Sequence, residues 1–195
     1  WRYYLWLAGV DLESAAVTQN ARRLGQGPAA LIPTLSLLYL DMAEHENPWN
    51  WPTAEWISPG DVNAPADAAT GEHDYDDARA RAYADVARGV MGLERLNHAA
   101  GARYIAGSAT DGWGTMPGIS LHTELQLLTR IGLSPRDALA AATANPAGTF
   151  RFEGIGVIEE GGRADILILD ADPTLDLEAL RSPHLVVSAG RLVRR

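Results

Sequence analysis

The spacing of hydrophobic positions changes period along the chain and divides it into two unequal parts. After an aromatic opening, Leu12, Ala15, Ala16 and Leu24 recur near helical spacing, with Asp11 placed to cap the helix and Gly25 to end it. Gly27 and Pro28 mark a turn, and the apolar run 29–32 before Pro33 predicts a short buried parallel strand. A short apolar helix is expected over 36–42. Residues 45–74, rich in Pro, Asn, Asp, Gly and Trp, form a long excursion, which in a compact domain is normally a lid or a binding loop. The longest helical pattern spans 75–100, with Tyr83, Val86, Ala87, Val90, Leu93 and Leu96 at helical spacing and Gly101 closing it. Residues 102–107 predict a second buried strand, followed by the small-residue turn Ser108, Ala109, Thr110, Asp111.

Helices are expected next over 120–131 and 134–144, the second with Ser134 as N-cap and Pro135 at its first position. From Ile155 the period shortens. Residues 155–159, 164–169 and 184–193, the last with a turn at Ala189 and Gly190, read as short strands. Buried strands alternating with helices are the α/β pattern of a parallel sheet or barrel, and the tail is a small β unit. The boundary falls between 1–152 and 153–195.

Composition narrows the chemistry. Apolar residues make up 47% and charged residues 21% of 195, which suits a packed core. Every basic residue is arginine, so a Schiff-base lysine, a Walker-type phosphate loop and a carbamylated-lysine metal bridge are excluded within this chain. A net charge of -9 argues against a nucleic-acid surface. Without cysteine there is no disulfide, thiol nucleophile or thiolate metal site, and the compartment stays open. No apolar stretch approaches the roughly 18 residues of a membrane-spanning helix.

The run AGSATDGWGTMPGISLHTELQLLTRIGLSPRDALAAATANPAGTF, continued by IGVIEEGGRADILILDADPTLDLEALRSPHLVVSAGRLV, resembles the C-terminal half of a metal-dependent amidohydrolase. It is most similar to the imidazolonepropionase-like and Xaa-Pro dipeptidase-like branch. The resemblance implies an α/β fold, the C-terminal portion of a (β/α)8 TIM-type barrel with the C-terminal strands of a small composite β-sandwich. LIPTL at 31–35 resembles the seventh barrel strand, which makes 102–107 the eighth. A whole barrel takes about 250 residues, so only the last two or three βα units are expected here. The His-x-His pair and the bridging lysine or glutamate of the family are not found, and the chain is expected to be a fragment, a processed product or one half of a split enzyme. Its expected partner is the N-terminal barrel segment or a second chain, and a homo-oligomer is a further expectation.

The resemblance assigns Asp111 the role of metal ligand and general base, taking a proton from the attacking water. The bland alternative is an Asx-turn residue before Gly112. Asp111 stands two positions later than the family pattern, which keeps its inward strand parity. His122, in LHTEL, is a candidate for binding a substrate carboxylate or orienting Asp111, and Glu124 is a weaker one. The alternative for both is a polar helix start. Trp113, Trp49 and Trp51 are candidate substrate-binding residues. Trp49, Trp51 and Trp56 either lid the site or close the barrel mouth or an oligomer contact. His45, His73, His98 and His184 share no metal-ligand spacing.

The expected activity is metal-dependent hydrolysis of an amide, cyclic amide or dipeptide C–N bond. Zinc is the expected cofactor, as one or two ions held mostly outside this chain, and the substrate is a small molecule or dipeptide. This chain alone would be inactive. The rival is a non-catalytic scaffold or binding protein that retained the end of the barrel.

Overall fold

The computed structural model describes residues 5–41, 46–64, 76–110 and 112–193. Ser14, rather than Asp11, caps the first helix, α1 (Ala15–Gln26), its hydroxyl accepting the Val17 amide at 3.4 Å. Asp11 acts one turn earlier, where its carboxylate accepts the Glu13 amide and its carbonyl accepts the Ser14 hydroxyl. Gly25 lies inside α1 instead of ending it. A Cβ there would run into the Ala100 carbonyl just beyond α2 (Asp77–Ala99), so glycine is what allows the two helices to approach.

Strands β1 (Ala30–Leu31) and β2 (Arg103–Tyr104) pair in parallel, Ala30 opposite Arg103 and Leu31 opposite Tyr104. Both are shorter than expected, for identifiable reasons. Pro33 has no N–H to donate, and Thr34 turns the backbone to a φ of 51°. On the partner strand the Ile105 amide reaches the Leu31 carbonyl, and the Ala106 amide, on the opposite edge, is taken by the Ala141 carbonyl. The segment after β1 is a 3-10 helix, Leu35–Asp41, rather than an α-helix.

Three proline-led 3-10 turns, Pro48–Asn50, Pro52–Trp56 and Pro59–Val62, build the described part of the tryptophan-rich excursion. Trp49 and Trp51 bury themselves with Ala54, Val62, Met116 and Ile119, while Trp56 is 78% exposed. This small cluster sits beside the main core, in which Leu35, Tyr104, Leu127, Leu128, Ile131 and Ala141 pack together.

Helix α3 (Ile119–Arg130) and helix α4 (Pro135–Ala142) follow, the latter capped by the Ser134 hydroxyl on the Asp137 amide. The expected helix over 134–144 breaks at Thr143, and α5 (Ala144–Phe150) starts anew with the Asn145 side-chain amide donating to the Tyr104 carbonyl at 2.9 Å. The tail is a three-stranded antiparallel sheet, β3 (Ile166–Ile168), β4 (Leu185–Ser188) and β5 (Arg191–Val193), in that order. The expected strand at 155–159 is irregular instead. Gly156 adopts a φ of 84° where the Thr143 carbonyl stands 2.6 Å from the position of a Cβ, so the chain hugs the end of α4 rather than extending.

The register puts Ile166, Ile168, Leu185, Val187 and Leu192 on one face of the sheet and Leu167, Val186 and Val193 on the other. Both faces are therefore apolar, and Leu167, Ile168, Leu192 and Val193 are all exposed. No helix among the described residues is long and apolar enough to cross a membrane.

Candidate active site

The C-terminal ends of β1 and β2 lie side by side, and backbone strain concentrates there. Thr34 just beyond β1, Ala109 beyond β2 and Trp113 in the following loop all have positive φ, a conformation costly for residues with a Cβ. The two exits are joined directly, since the Ser36 hydroxyl donates to the Ser108 carbonyl at 3.2 Å across 72 positions. On the far side of the β2 exit the buried Thr115 hydroxyl reaches the carbonyls of Ala109 at 2.6 Å and Gly112 at 2.7 Å. In sequence, position 111 falls between Ser108 and Thr115. Asp111 itself is outside the described residues, as are Trp1, His45 and His73.

Beneath the β1 exit lies Glu124, fully buried on α3. Its Oε2 accepts the Ser36 amide at 2.7 Å, a contact between residues 88 apart in sequence. Burial pushes the carboxyl up to about 8, against the Ser36 amide and hydroxyl and the Leu35 amide, which favour the anion; Glu94 adds to the rise. Oε1 nevertheless meets no donor in hydrogen-bonding geometry among the described residues. Glu124 is therefore not a surface residue attracted to the helix N-terminus. It occupies the core stripe Ser120, Thr123, Glu124, Leu127, Leu128 and Ile131, all of them buried. A carboxylate in helical register with the apolar positions Leu127, Leu128 and Ile131 was the available signal. Ser36 and Thr115 carried no comparable signal, because each is an ordinary loop serine or threonine until the strands are paired.

His122 emerges on the opposite side of α3 from Glu124. Its ring centroid lies 5.4 Å from that of Trp51, and the Arg181 guanidinium carbon stands 3.7 Å from the Trp51 ring centroid. Arg181 is also paired with Glu178 at 2.8 Å and Glu46 at 3.1 Å. These groups edge a cavity of about 540 Å³, lined mostly by apolar side chains such as Ile57, Leu121, Leu139 and Leu180, with Thr53 and Thr143. Trp51 and His122 thus come together, whereas Trp49 is packing and Trp113 stands apart, 40% exposed, with its ring 6.4 Å from that of Tyr83.

Burial lowers the His122 pKa from its ordinary 6.5, and Arg181 lowers it further while Glu178 opposes. A depressed folded-state pKa means that the unfolded chain takes up the proton first. Stability attributable to His122 is expected to be complete above pH 6.5 and to decline as pH falls towards the folded-state value. Thermal midpoints of wild type and His122→Gln from pH 7.5 to 5 check this: the wild-type curve should fall more steeply, and parallel curves would remove His122 from the account.

The described donors do not fit a metal centre. Among the described residues no group of three or more His, Cys, Asp or Glu could hold a metal ion. His98 faces the Tyr104 ring, and His184 pairs with Asp170 at 3.3 Å on the surface.

A model of the amidohydrolase family matches residues 51–193, which includes the β2 exit, α3 and the whole tail. The chain belongs to the amidohydrolase family. This amidohydrolase chain is 49% identical to the imidazolonepropionase of Rubrobacter xylanophilus over 61 residues, 28% of the chain and 15% of that relative. Among solved structures, a Bifidobacterium longum protein provisionally named a prolidase is 31% identical, with a TM-score of 0.56, covering 86% of this chain and 35% of that one. An Xaa-Pro dipeptidase with methionine bound in its active site superposes with a TM-score of 0.63 at 17% identity, over 96% of this chain and 38% of that one, a likeness of fold. The chain thus spans less than two-fifths of each of these proteins.

Proposed function

We propose that this amidohydrolase chain supplies the last two or three βα units of a (β/α)8 barrel, within 1–152, and C-terminal strands of a composite β-sandwich, within 153–195. In that arrangement it contributes to hydrolysis of an amide, cyclic amide or dipeptide C–N bond. One observation carries the reading: two parallel strands end together in strained, mutually clasped turns, and in sequence Asp111 follows directly on the second of them. Barrel enzymes keep their chemistry at this end of their strands. The names of the relatives, an imidazolonepropionase and a prolidase, support a C–N bond as the target.

In this reading the Asp111 carboxylate accepts the proton of the attacking water and is one ligand of a divalent metal. Zinc is the proposed ion, one or two in number, with the other ligands outside the described residues. Trp113, on the same loop, contacts the substrate, and the cavity beside Trp51 and His122 takes an apolar substrate group. Trp49 serves by seating Trp51. The partner is further polypeptide of the same barrel, in this chain's gene product or in a second chain. The bare apolar faces of the three-stranded sheet support such a covering layer.

Native mass spectrometry and elemental analysis of the assembled protein test the proposal together. The expected result is a partner segment or chain, bound zinc, and hydrolysis of amide or dipeptide substrates that a chelator abolishes and added zinc restores. Metal-free protein that cannot be reconstituted would favour the non-catalytic scaffold. A stable, closed monomer of these 195 residues alone would overturn the partner requirement.

A further inference from the structure

We propose that Glu124 is a positioning residue for the reaction centre, holding the exit turn of β2 in place through the amide and hydroxyl of Ser36. The inference rests on the reading that Asp111 works at that turn. A carboxyl in a core stripe is an expensive choice, since an apolar side chain of similar size would bury without loss of hydration. Its hydrogen bond goes to no neighbour on its own helix. Oε2 reaches across to the Ser36 amide, and Ser36, itself fully buried, passes the contact on to the Ser108 carbonyl, three positions before Asp111. Helix α3 thereby holds the β1 exit, and the β1 exit holds the β2 exit.

The turns held in this way are the ones that need it. Thr34 and Ala109 sit at φ of 51° and 44°, conformations that persist only where the surroundings over-determine them. Thr115 holds the carbonyls of Ala109 and Gly112, and the Glu124–Ser36 tie holds that of Ser108. Released on one side, the turn relaxes and the carboxylate loses its register with the reacting atoms. A group that orients the reacting base without touching substrate alters turnover more than substrate affinity. Glu94 on α2 is the charged group that acts on Glu124.

The test uses three variants of the assembled protein: Glu124→Ala, Glu124→Gln and Ser36→Ala. Steady-state kinetics is read beside hydrogen exchange of the amides at 107–112. Glu124→Ala and Ser36→Ala are expected to lower kcat by about 10–100-fold, the usual effect of removing an orienting partner, with KM little changed and exchange at 107–112 accelerated. Amides within α3 should keep their protection. Glu124→Gln retains an oxygen to accept the Ser36 amide and should restore both kcat and protection. Should Glu124→Ala fail to fold, Ser36→Ala removes only a hydroxyl and decides alone. Wild-type kcat and exchange in Ser36→Ala, or a Glu124→Gln variant as impaired as Glu124→Ala, would overturn the proposal. If wild type hydrolyses no amide, the functional reading fails, and the exchange measurements still decide whether the tether exists.

Discussion

Asp111→Asn in the assembled protein is expected to lower turnover by about 10²–10⁴-fold, the range of positioned acid–base catalysis, while the thermal midpoint stays near that of wild type. An amide of the same shape holds a divalent cation poorly and takes up no proton from water, so both proposed roles fail together. Ser36, Ser108 and Thr115 make clasps on the neighbouring described residues, so the turn has support beyond position 111. An Asx-turn role makes the opposite forecast, because asparagine serves that turn as well as aspartate. Turnover, metal content and thermal midpoint measured on one preparation separate the two. Full activity with full metal occupancy would move the ligand assignment elsewhere.

The largest loss of stability is expected from Leu127→Ala. Leu127 is fully buried on the inner stripe of α3, in the same cluster as Leu35, Tyr104 and Leu128. Removing three carbons from such a site forfeits their transfer from water and leaves a cavity, together about 2–5 kcal/mol. Denaturant titration of the assembled protein should show a lower midpoint at unchanged slope. A change within about 0.5 kcal/mol, as surface positions give, would mean that α3 is not anchored through this face. Because Glu124 lies one turn from Leu127 on that face, loosening the anchor should also loosen the Ser36 tie.

Much of the element order was legible in the spacing of apolar residues. The long pattern ending at Gly101 became α2, the apolar runs on either side of it contain the paired strands β1 and β2, and Ser134 with Pro135 opens α4 as its cap chemistry requires. Boundaries were less legible, and the misses share a cause. Asp11 and Ser14 are both good caps by type, and only the geometry of their hydrogen bonds made Ser14 the cap. Gly25 carries the signature of a helix end, but it serves the contact with Ala100, a residue 75 positions away. The apolar alternation after Ile155 reads as a strand until Gly156 is seen against the end of α4.

The candidate site divides along the same line. Residue types and order were enough for the amidohydrolase family; the choice of Asp111 also rests on a local pattern, a carboxylate after a buried strand in this motif series, and its test is the Asp111→Asn measurement. His122 and Trp51 were named separately, and it was folding that joined them with Arg181, which no local pattern marked. The sequence by itself determined the alternation of strand and helix and the chemistry the chain can carry: carboxylates, imidazoles and arginines, with no lysine or thiol. Only the tertiary structure decided which of these groups work together. Ser36, Ser108 and Glu124 lie 72 and 88 positions apart, and contacts over such distances follow from the pairing of β1 with β2 and the packing of α3 beneath them. Periodicity reports which face of an element is buried, but not what that face meets.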